Sequence, residues 1–500
     1  VTTALRRAED IIASLALVAM VVLPLAEIVA RGVFGSGVPG SVTLVQHFTL
    51  WVAFLGAALA AREGRLLSLA TGQFLPEGKV RGAAMAFASA VAAAVSAILC
   101  VAGIDLVLVE KMSGTSVVPW LRTWVAQLVL PISFALIAVR LVWRAGEWRA
   151  RAVAAVGLVV GVWLGSTPGV LEGQPSWPGL LVILVATVFG GPIFAALGGI
   201  AVLMFMSDGV PPAAVLIETY RLTVSPMLPA IPLFTLVGFF LAEGNASHRL
   251  LRFFRAFFGS VPGGTAVVCA LTCVFFTIPT GGSGVTILAL GALLFQALRE
   301  DHYREKFSMG LLTASGSLGL LFPPALPLIL YGIVAQIPIE DLFIGGLVPG
   351  LLLVALVIGW GVREGIVTGV KRQPFHFKEA CAALWEAKWE LLLPVVAIVA
   401  IFGGFATLVE AAALTVLYAL VVQVFVHRDI KTRADLIRVF QRCVALIGGV
   451  LLILGVAMGF SSFMVDAQVP DRALEWVQEH IDSPLVFLLC LNVLLLLVGC

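Results

Sequence analysis

Two stretches of the sequence set hydroxyl groups beside residues that do not continue a helix. The first is Pro279-Thr280-Gly281-Gly282-Ser283-Gly284, with Thr286 just beyond it. The second is Ser315-Gly316-Ser317, followed by Gly319 and the pair Pro323-Pro324. Both interrupt long apolar runs. Glycine and proline break helices, and a break frees backbone groups that must line a polar cavity or be buried in protein. The freed carbonyls and the hydroxyls of Thr280, Ser283, Thr286, Ser315 and Ser317 form an all-oxygen set. Such a set suits a hard cation of the sodium type, with Ser283 and Ser317 as expected ligands. Helix N-termini at the same breaks carry roughly half a positive charge each, which suits an anion. No lysine or arginine falls in the middle of a run, so an anion would be held by helix ends, hydroxyls and a bound cation. A third break, Gly403-Gly404-Phe405-Ala406-Thr407, precedes Glu410, the only charged residue in 391–426. An acid inside a membrane is a functional candidate. Glu410 could equally cap the helix that starts near Thr407, and the glycines could be close-packing surfaces.

The composition fixes where these breaks lie. Hydrophobic residues make up 60% of the 500 and charged residues 12%. A soluble domain carries about 25% charged residues, so this chain cannot cover a water-facing surface. Apolar runs of about 20 residues match the thickness of a bilayer core. No basic stripe suggests nucleic acid. HExxH, GxSxG and Walker A patterns are all lacking, so neither an enzyme nor direct use of ATP is expected. The cysteines form no CxxC pair; Cys269 and Cys273 share a helix face and read as small packing residues. No cofactor is expected beyond a coupling ion.

Basic residues gather on the cytoplasmic side of short loops. With Arg6 and Arg7 taken as cytoplasmic, spans are predicted near 11–31, 44–61, 83–109 and 124–143. The loop 62–82 and the segment with Arg144, Arg149 and Arg151 then lie inside. The run from Ile11 is too long for a signal sequence and is read as a retained span. A short fifth span, 152–168, leads to an outer loop at 172–178. Beyond it, basic residues cluster in 244–263, 299–306, 363–390 and 427–442, whereas the loops 207–226, 337–341 and 466–484 hold only Arg221 and Arg472. The uncharged stretch 265–298 thus has cytoplasmic loops at both ends. As one helix it would be roughly 50 Å long at about 1.5 Å per residue, so a re-entrant hairpin with its tip at 279–284 is predicted. The stretch 391–426 reads the same way. A hairpin from the other side is predicted for 179–206, broken at Gly190-Gly191-Pro192. The resulting division is a four-span unit 1–150, a connecting span and outer loop 151–175, and a second unit 176–500.

The breaks recur in order. Gly190–Gly198 pairs with Gly403–Glu410, and Leu236–Ala242 with Ala457–Phe463, each facing opposite to its partner by charge. Inverted repeats with interrupted helices are the build of secondary transporters, with the binding site where the breaks meet. The same offset carries Thr280–Gly284 just past Cys500. The sequence also stops within an apolar run from Leu485, so a C-terminal truncation is expected.

At these motifs the second unit resembles the large M subunit of tripartite ATP-independent periplasmic (TRAP) transporters. The resemblance rests on Gly191-Pro-Ile-Phe-Ala-Ala-Leu-Gly198, Ala230-Ile-Pro-Leu-Phe234, Gly281–Gly284, the Ser315–Pro324 stretch with Pro327 and Tyr331-Gly332, Pro349-Gly350, and Glu410-Ala-Ala-Ala with Tyr418. The first unit is similar to the Q subunit through Trp51-Val-Ala-Phe-Leu-Gly-Ala57 and Ala61-Arg-Glu-Gly64. Departures are Arg65-Leu66-Leu67, where the family often has histidine, and Thr407-Leu-Val-Glu410, where many M subunits read threonine-proline-threonine-glutamate. The family's closing segment, with an aspartate and a second double proline, is absent. The resemblance implies an all-α polytopic membrane protein: a four-helix Q-like unit, a connecting span, and an inverted-repeat, elevator-type transporter unit with re-entrant hairpins and interrupted helices. It implies sodium-coupled import of an organic acid across a bacterial inner membrane, with a cytoplasmic N-terminus, membrane lipid around it and a periplasmic substrate-binding protein as partner. The alternatives are a stand-alone anion–sodium symporter and a non-transporting subunit of a membrane complex. The second would need buried lysines or a relay of acids.

Overall fold

The computed structural model describes residues 2–74, 76, 78–370, 374–481 and 483–499. The chain opens with α1 (Thr2–Phe34), α2 (Ser41–Glu63) and α3 (Lys79–Ser113). A two-stranded ribbon follows, β1 (Ser116–Val118) and β2 (Leu121–Arg122), then α4 (Thr123–Gln127), α5 (Val129–Arg144) and α6 (Trp148–Ser166). Next come α7 (Trp177–Val188), α8 (Ile193–Ser207), α9 (Ala213–Thr223), α10 (Ala230–Glu243) and α11 (Ala246–Phe258). The middle holds α12 (Gly264–Thr280), α13 (Ser283–Glu300), α14 (Glu305–Leu318), α15 (Leu326–Ala335) and α16 (Ile339–Val367). The last elements are α17 (Phe377–Phe402), α18 (Leu408–Val421), α19 (Arg433–Asp466), α20 (Val469–His480) and α21 (Pro484–Gly499). Among the described residues, eight helices are long and apolar enough to cross a membrane, or up to ten if each bent pair is one span. The chain is an all-α polytopic membrane protein.

Three hairpins stand where the charge pattern predicts them. At the open end of α12–α13 the Thr265 hydroxyl donates to Asp301, and further in the Cys269 thiol lies 3.9 Å from the Leu294 carbonyl oxygen. In α17–α18 the Tyr418 hydroxyl donates to the Trp389 carbonyl at 2.8 Å. In α7–α8, Gly179 faces Leu203 so closely that a Cβ would lie 2.6 Å from its Cδ2.

Other expectations need correction. The basic stretch 244–263 is mostly α11, not loop, and α9 and α20 lie in the stretches 207–226 and 466–484. Basic residues tell which side a segment occupies, but a short amphipathic helix satisfies its own backbone while staying at that side. The break expected from Ser315 begins later. α14 runs unbroken to Leu318, a single 3₁₀ turn follows, and the interruption lies between it and α15. Proline disfavours helical backbone at the residue before it, and here Phe322 is extended, ahead of the cis Pro323–Pro324 bond. Glycine and serine, by contrast, remain helical when packed. The two arms meet at a bend of 48°.

The helices form two compact units. The first consists of Val1–Arg65, Glu110–Val129 and Leu222–Leu451. Within it α2 and α19 touch backbone to backbone: a Cβ on Gly448 would lie 2.1 Å from the Ala57 nitrogen. Glu27 closes the α1–α2 turn by accepting from the Val38 amide and the Ser41 hydroxyl, both at 2.8 Å. Arg249, which the charge pattern places in the basic stretch 244–263, is buried. Its Nη2 lies 2.6 Å from Glu390 Oε1 and 2.8 Å from Asp429 Oδ2. Burial disfavours the Asp429 charge, yet hydrogen bonds from Arg249 and the Asn245 amide hold its carboxyl below the usual range.

The second unit consists of Leu66–Val109, Leu130–Arg221 and Leu452–Cys500. There Gly157 and Gly161 of α6 press on the backbone of α3, where a Cβ on either would stand 2.2 Å from the Ala90 or Ala94 carbonyl oxygen. An apolar cavity of about 460 Å³ lies between α3, α6, α7 and α8.

Candidate functional site

The tip of the α12–α13 hairpin is set by two glycines. Gly281 has φ 61°, a left-handed conformation that favours glycine, and its amide donates to the Thr277 carbonyl at 2.9 Å. A Cβ there would stand 2.2 Å from Leu326 Cγ, so the tip lies against the first turn of α15. The two breaks singled out by sequence therefore meet. Gly282 is extended and starts α13, its carbonyl accepting the Thr286 amide at 3.2 Å.

Just inside the tip, oxygens converge from three helices. Thr277 Oγ1 and Thr286 Oγ1 are 2.8 Å apart, and both side chains are fully buried. Thr277 Oγ1 also lies 2.7 Å from the Cys273 carbonyl oxygen and 3.1 Å from that of Gly316, while Thr286 Oγ1 is 3.4 Å from that of Gly282. Each hydroxyl has one proton to donate, and the Thr286 amide also donates to the Gly282 carbonyl, so the cluster presents hydroxyl and carbonyl oxygens. Gly319 permits the convergence, since its Cβ would stand 2.5 Å from Thr277 Cβ. One turn before it, on the same face of α14, Ser315 is fully buried and its hydroxyl has no hydrogen-bond partner among the described residues.

The remaining candidates are placed as follows. Ser283 is half-buried as the first residue of α13, and Gly284 beside it faces open space. Ser317 is exposed and donates to the Thr313 carbonyl at 3.4 Å. The side chain of Thr280 lies outside the described residues. Pro323 and Pro324 are buried in the break. Thr407 and Glu410 form a capping box: the Glu410 amide donates to Thr407 Oγ1 at 3.3 Å, and the Thr407 amide to Glu410 Oε2 at 2.7 Å. Glu410 also pairs with Arg31 at 2.9 Å, so cap and ion pair together account for its charge. A largely apolar pocket of about 380 Å³ adjoins this pair, with Glu27, Ser41, Met227 and Glu340 among its lining. The structure thus gathers Gly281, Gly282, Thr286, Gly316 and Gly319, and sets Ser317, Gly284, Thr407 and Glu410 outside that hydrogen-bonded cluster. Thr277 was missed. A threonine in an apolar helix gives little signal, because most merely bond the preceding turn, as Thr272 does to the Val268 carbonyl at 2.7 Å.

Residues 180–500 match the family described as the tripartite ATP-independent periplasmic transporter, DctM component. The chain belongs to the TRAP transporter family. Residues 20–151 match its DctQ component, so both components are fused in one chain. The chain is 32% identical over 389 residues to the isethionate TRAP transporter permease protein of Oleidesulfovibrio alaskensis, covering 75% of this chain and 60% of that protein. It is 32% identical over 306 residues to the C4-dicarboxylate TRAP transporter large permease of Pseudomonas aeruginosa, covering 60% of this chain and 70% of that one. Identity to the ectoine TRAP transporter large permease of Halomonas elongata is 31% over 307 residues, 60% of this chain and 72% of that one. All three are named as transporter permeases. In this TRAP chain the DctQ-matching and DctM-matching stretches are interleaved within the first compact unit, where Arg31 meets Glu410 and Gly56 meets Gly448.

Proposed function

We propose that the chain is the membrane part of a sodium-coupled importer that takes a small organic acid from a periplasmic substrate-binding protein across the bacterial inner membrane, with its N-terminus in the cytoplasm. The observation that carries the sodium assignment is the buried oxygen cluster of Thr277, Thr286, Gly282 and Gly316 beside the unpartnered hydroxyl of Ser315. Its groups are hydroxyls and carbonyls, which bind a hard cation and do not titrate near neutral pH. A cation held there would lie close to the N-terminus of α13, whose partial positive charge adds to the attraction for a carboxylate. Sodium and an organic acid would then support one another at one site. Relatives named for C4-dicarboxylate and sialic acid support the substrate class. The tripartite build of the family supports the soluble partner.

The test is reconstitution of the full-length protein in sodium-free liposomes with its loaded binding protein outside. Uptake should begin when sodium is added outside, need no nucleotide, and stop when either sodium or the binding protein is omitted. Uptake driven by a pH gradient alone would refute the sodium assignment. Rapid uptake of free substrate without the partner would establish the stand-alone symporter instead.

A further inference from the structure

Helix α11 leaves α10 at a bend of 77° and is two-sided. Leu250 and Phe254 are buried, whereas Arg252 and Arg255 are exposed. A helix with an apolar and a basic face, nearly at right angles to an apolar neighbour, has the form of one lying in the plane of a membrane surface. Its C-terminal end opens onto a pocket of about 160 Å³ lined by Arg252, Arg255, Ser260, Pro374, His376 and Glu379. Glu379 is engaged by Arg252 at 2.8 Å, and Glu386 contacts the same guanidinium. Among the described residues no carboxylate lies within ion-pair distance of Arg255. The pocket therefore holds one uncompensated guanidinium, with a serine hydroxyl and an imidazole as further donors. Exposed phenylalanines adjoin the lining residues in the chain: Phe257 and Phe258 follow Arg255 and Ala256 on α11, and Phe375 and Phe377 bracket His376.

We propose that this pocket binds the phosphate of an anionic phospholipid, with the acyl chains lying against these phenylalanines. A phosphodiester presents the oxygens that a guanidinium fork meets in pairs. The aromatic rim distinguishes a lipid from a free phosphate, which would have no use for it. The segment is also among the most basic of the chain, as expected where a protein meets an anionic leaflet. Ser260 lies just ahead of α12, so the lipid sits at the base of the hairpin that carries the oxygen cluster. A dependence of transport rate on leaflet charge follows from this position. That consequence rests on the transport reading, whereas the binding site does not.

The test uses the full chain in detergent, supplied with phosphatidylglycerol or phosphatidylcholine and read by native mass spectrometry. Arg255→Gln should weaken phosphatidylglycerol retention about fivefold, the contribution of one basic residue near an anionic surface. Adding His376→Gln should weaken it further, and Arg255→Lys should restore part of it. Arg433→Gln, a charge loss at the start of α19, should leave retention unchanged. Arg255, His376 and Arg433 are all exposed, so folding is preserved. Equal retention by the wild type and the double variant overturns the proposal, as does equal retention of the two lipids. Complete displacement of phosphatidylglycerol by millimolar inorganic phosphate would assign the pocket to free phosphate and overturn the lipid.

Discussion

Replacing Gly448 by alanine tests the contact between α2 and α19 directly. The added Cβ would stand 2.1 Å from the Ala57 nitrogen and the Gly56 carbonyl carbon. Van der Waals contact requires nearly 3.5 Å, so the helices would have to part by more than about 1 Å. Both obstacles are backbone, and no side chain can rotate aside. Overpacking costs about 1–3 kcal/mol, and a backbone obstacle puts this case at the upper end. Alanine's better helix propensity offsets about 1 kcal/mol, leaving a loss of about 2 kcal/mol. Gly449 supplies an internal control, because a Cβ there meets nothing within 4 Å. Gly449→Ala should therefore gain up to about 1 kcal/mol, so the neighbouring variants should move in opposite directions. Thermal unfolding in detergent, followed by tryptophan fluorescence, gives the order of the midpoints. Unfolding of a polytopic chain is not two-state, so the sign and order are the readout. Equal midpoints for the two variants would refute the packing argument.

Thr286→Val keeps the side chain's shape and removes one oxygen from the cluster; it should raise the half-saturating sodium concentration for uptake about tenfold, a loss near 1.4 kcal/mol, with expression unchanged. Arg249→Met leaves the buried Glu390 and Asp429 without their guanidinium and should cost about 3–5 kcal/mol, seen as a lowered unfolding midpoint. Because the Asp429 carboxyl is held below its unfolded value, its stabilising contribution should be complete above about pH 4 and fall away as pH drops through that lowered value. Glu410→Ala removes a capping box and should destabilise by about 1 kcal/mol, whereas Arg31→Gln removes a half-exposed guanidinium and leaves Glu410 held by the Thr407 amide, so it should lower the midpoint less. Single cysteines at Ser260 and Glu300, in a cysteine-free background, should react with an impermeant thiol reagent from the same side of the membrane; labelling from opposite sides would turn the α12–α13 hairpin into a simple crossing.

The hairpins were legible because charge pattern and break chemistry agree: basic residues flank 265–298 on both sides, and Gly281-Gly282 supply the turn. The second break reads too early from sequence because Ser315-Gly316-Ser317 look like helix breakers, although all three stay within α14, which runs to Leu318 before the 3₁₀ turn and the Pro323-Pro324 break. Glu410 reads equally as cap or site; the structure shows the cap with Thr407 and an ion pair with Arg31, a partner 379 positions away and beyond any local pattern. Arg249 reads only as part of a basic loop, since its helix and its burial depend on Glu390 and Asp429, which reach it from separate parts of the chain. Thr277 shows the same limit: its place in the oxygen cluster depends on the Gly316 carbonyl, and a backbone oxygen has no letter in the sequence.

The pairing of α2 with α19 also bears on how the protein is made. About 390 residues separate Gly56 from Gly448, and at roughly 5–20 residues per second the ribosome needs about 20–80 s to produce the second after the first. During that interval α2, with Gly56 and Ala57 on the surface that α19 later meets, sits in the bilayer without that neighbour. A newly inserted helix in that state is open to wrong pairing and to membrane proteases. Covalent fusion shortens the hazard once α19 emerges, because a tether holds the two at high effective concentration. Two separate chains would have to find each other by diffusion in the membrane.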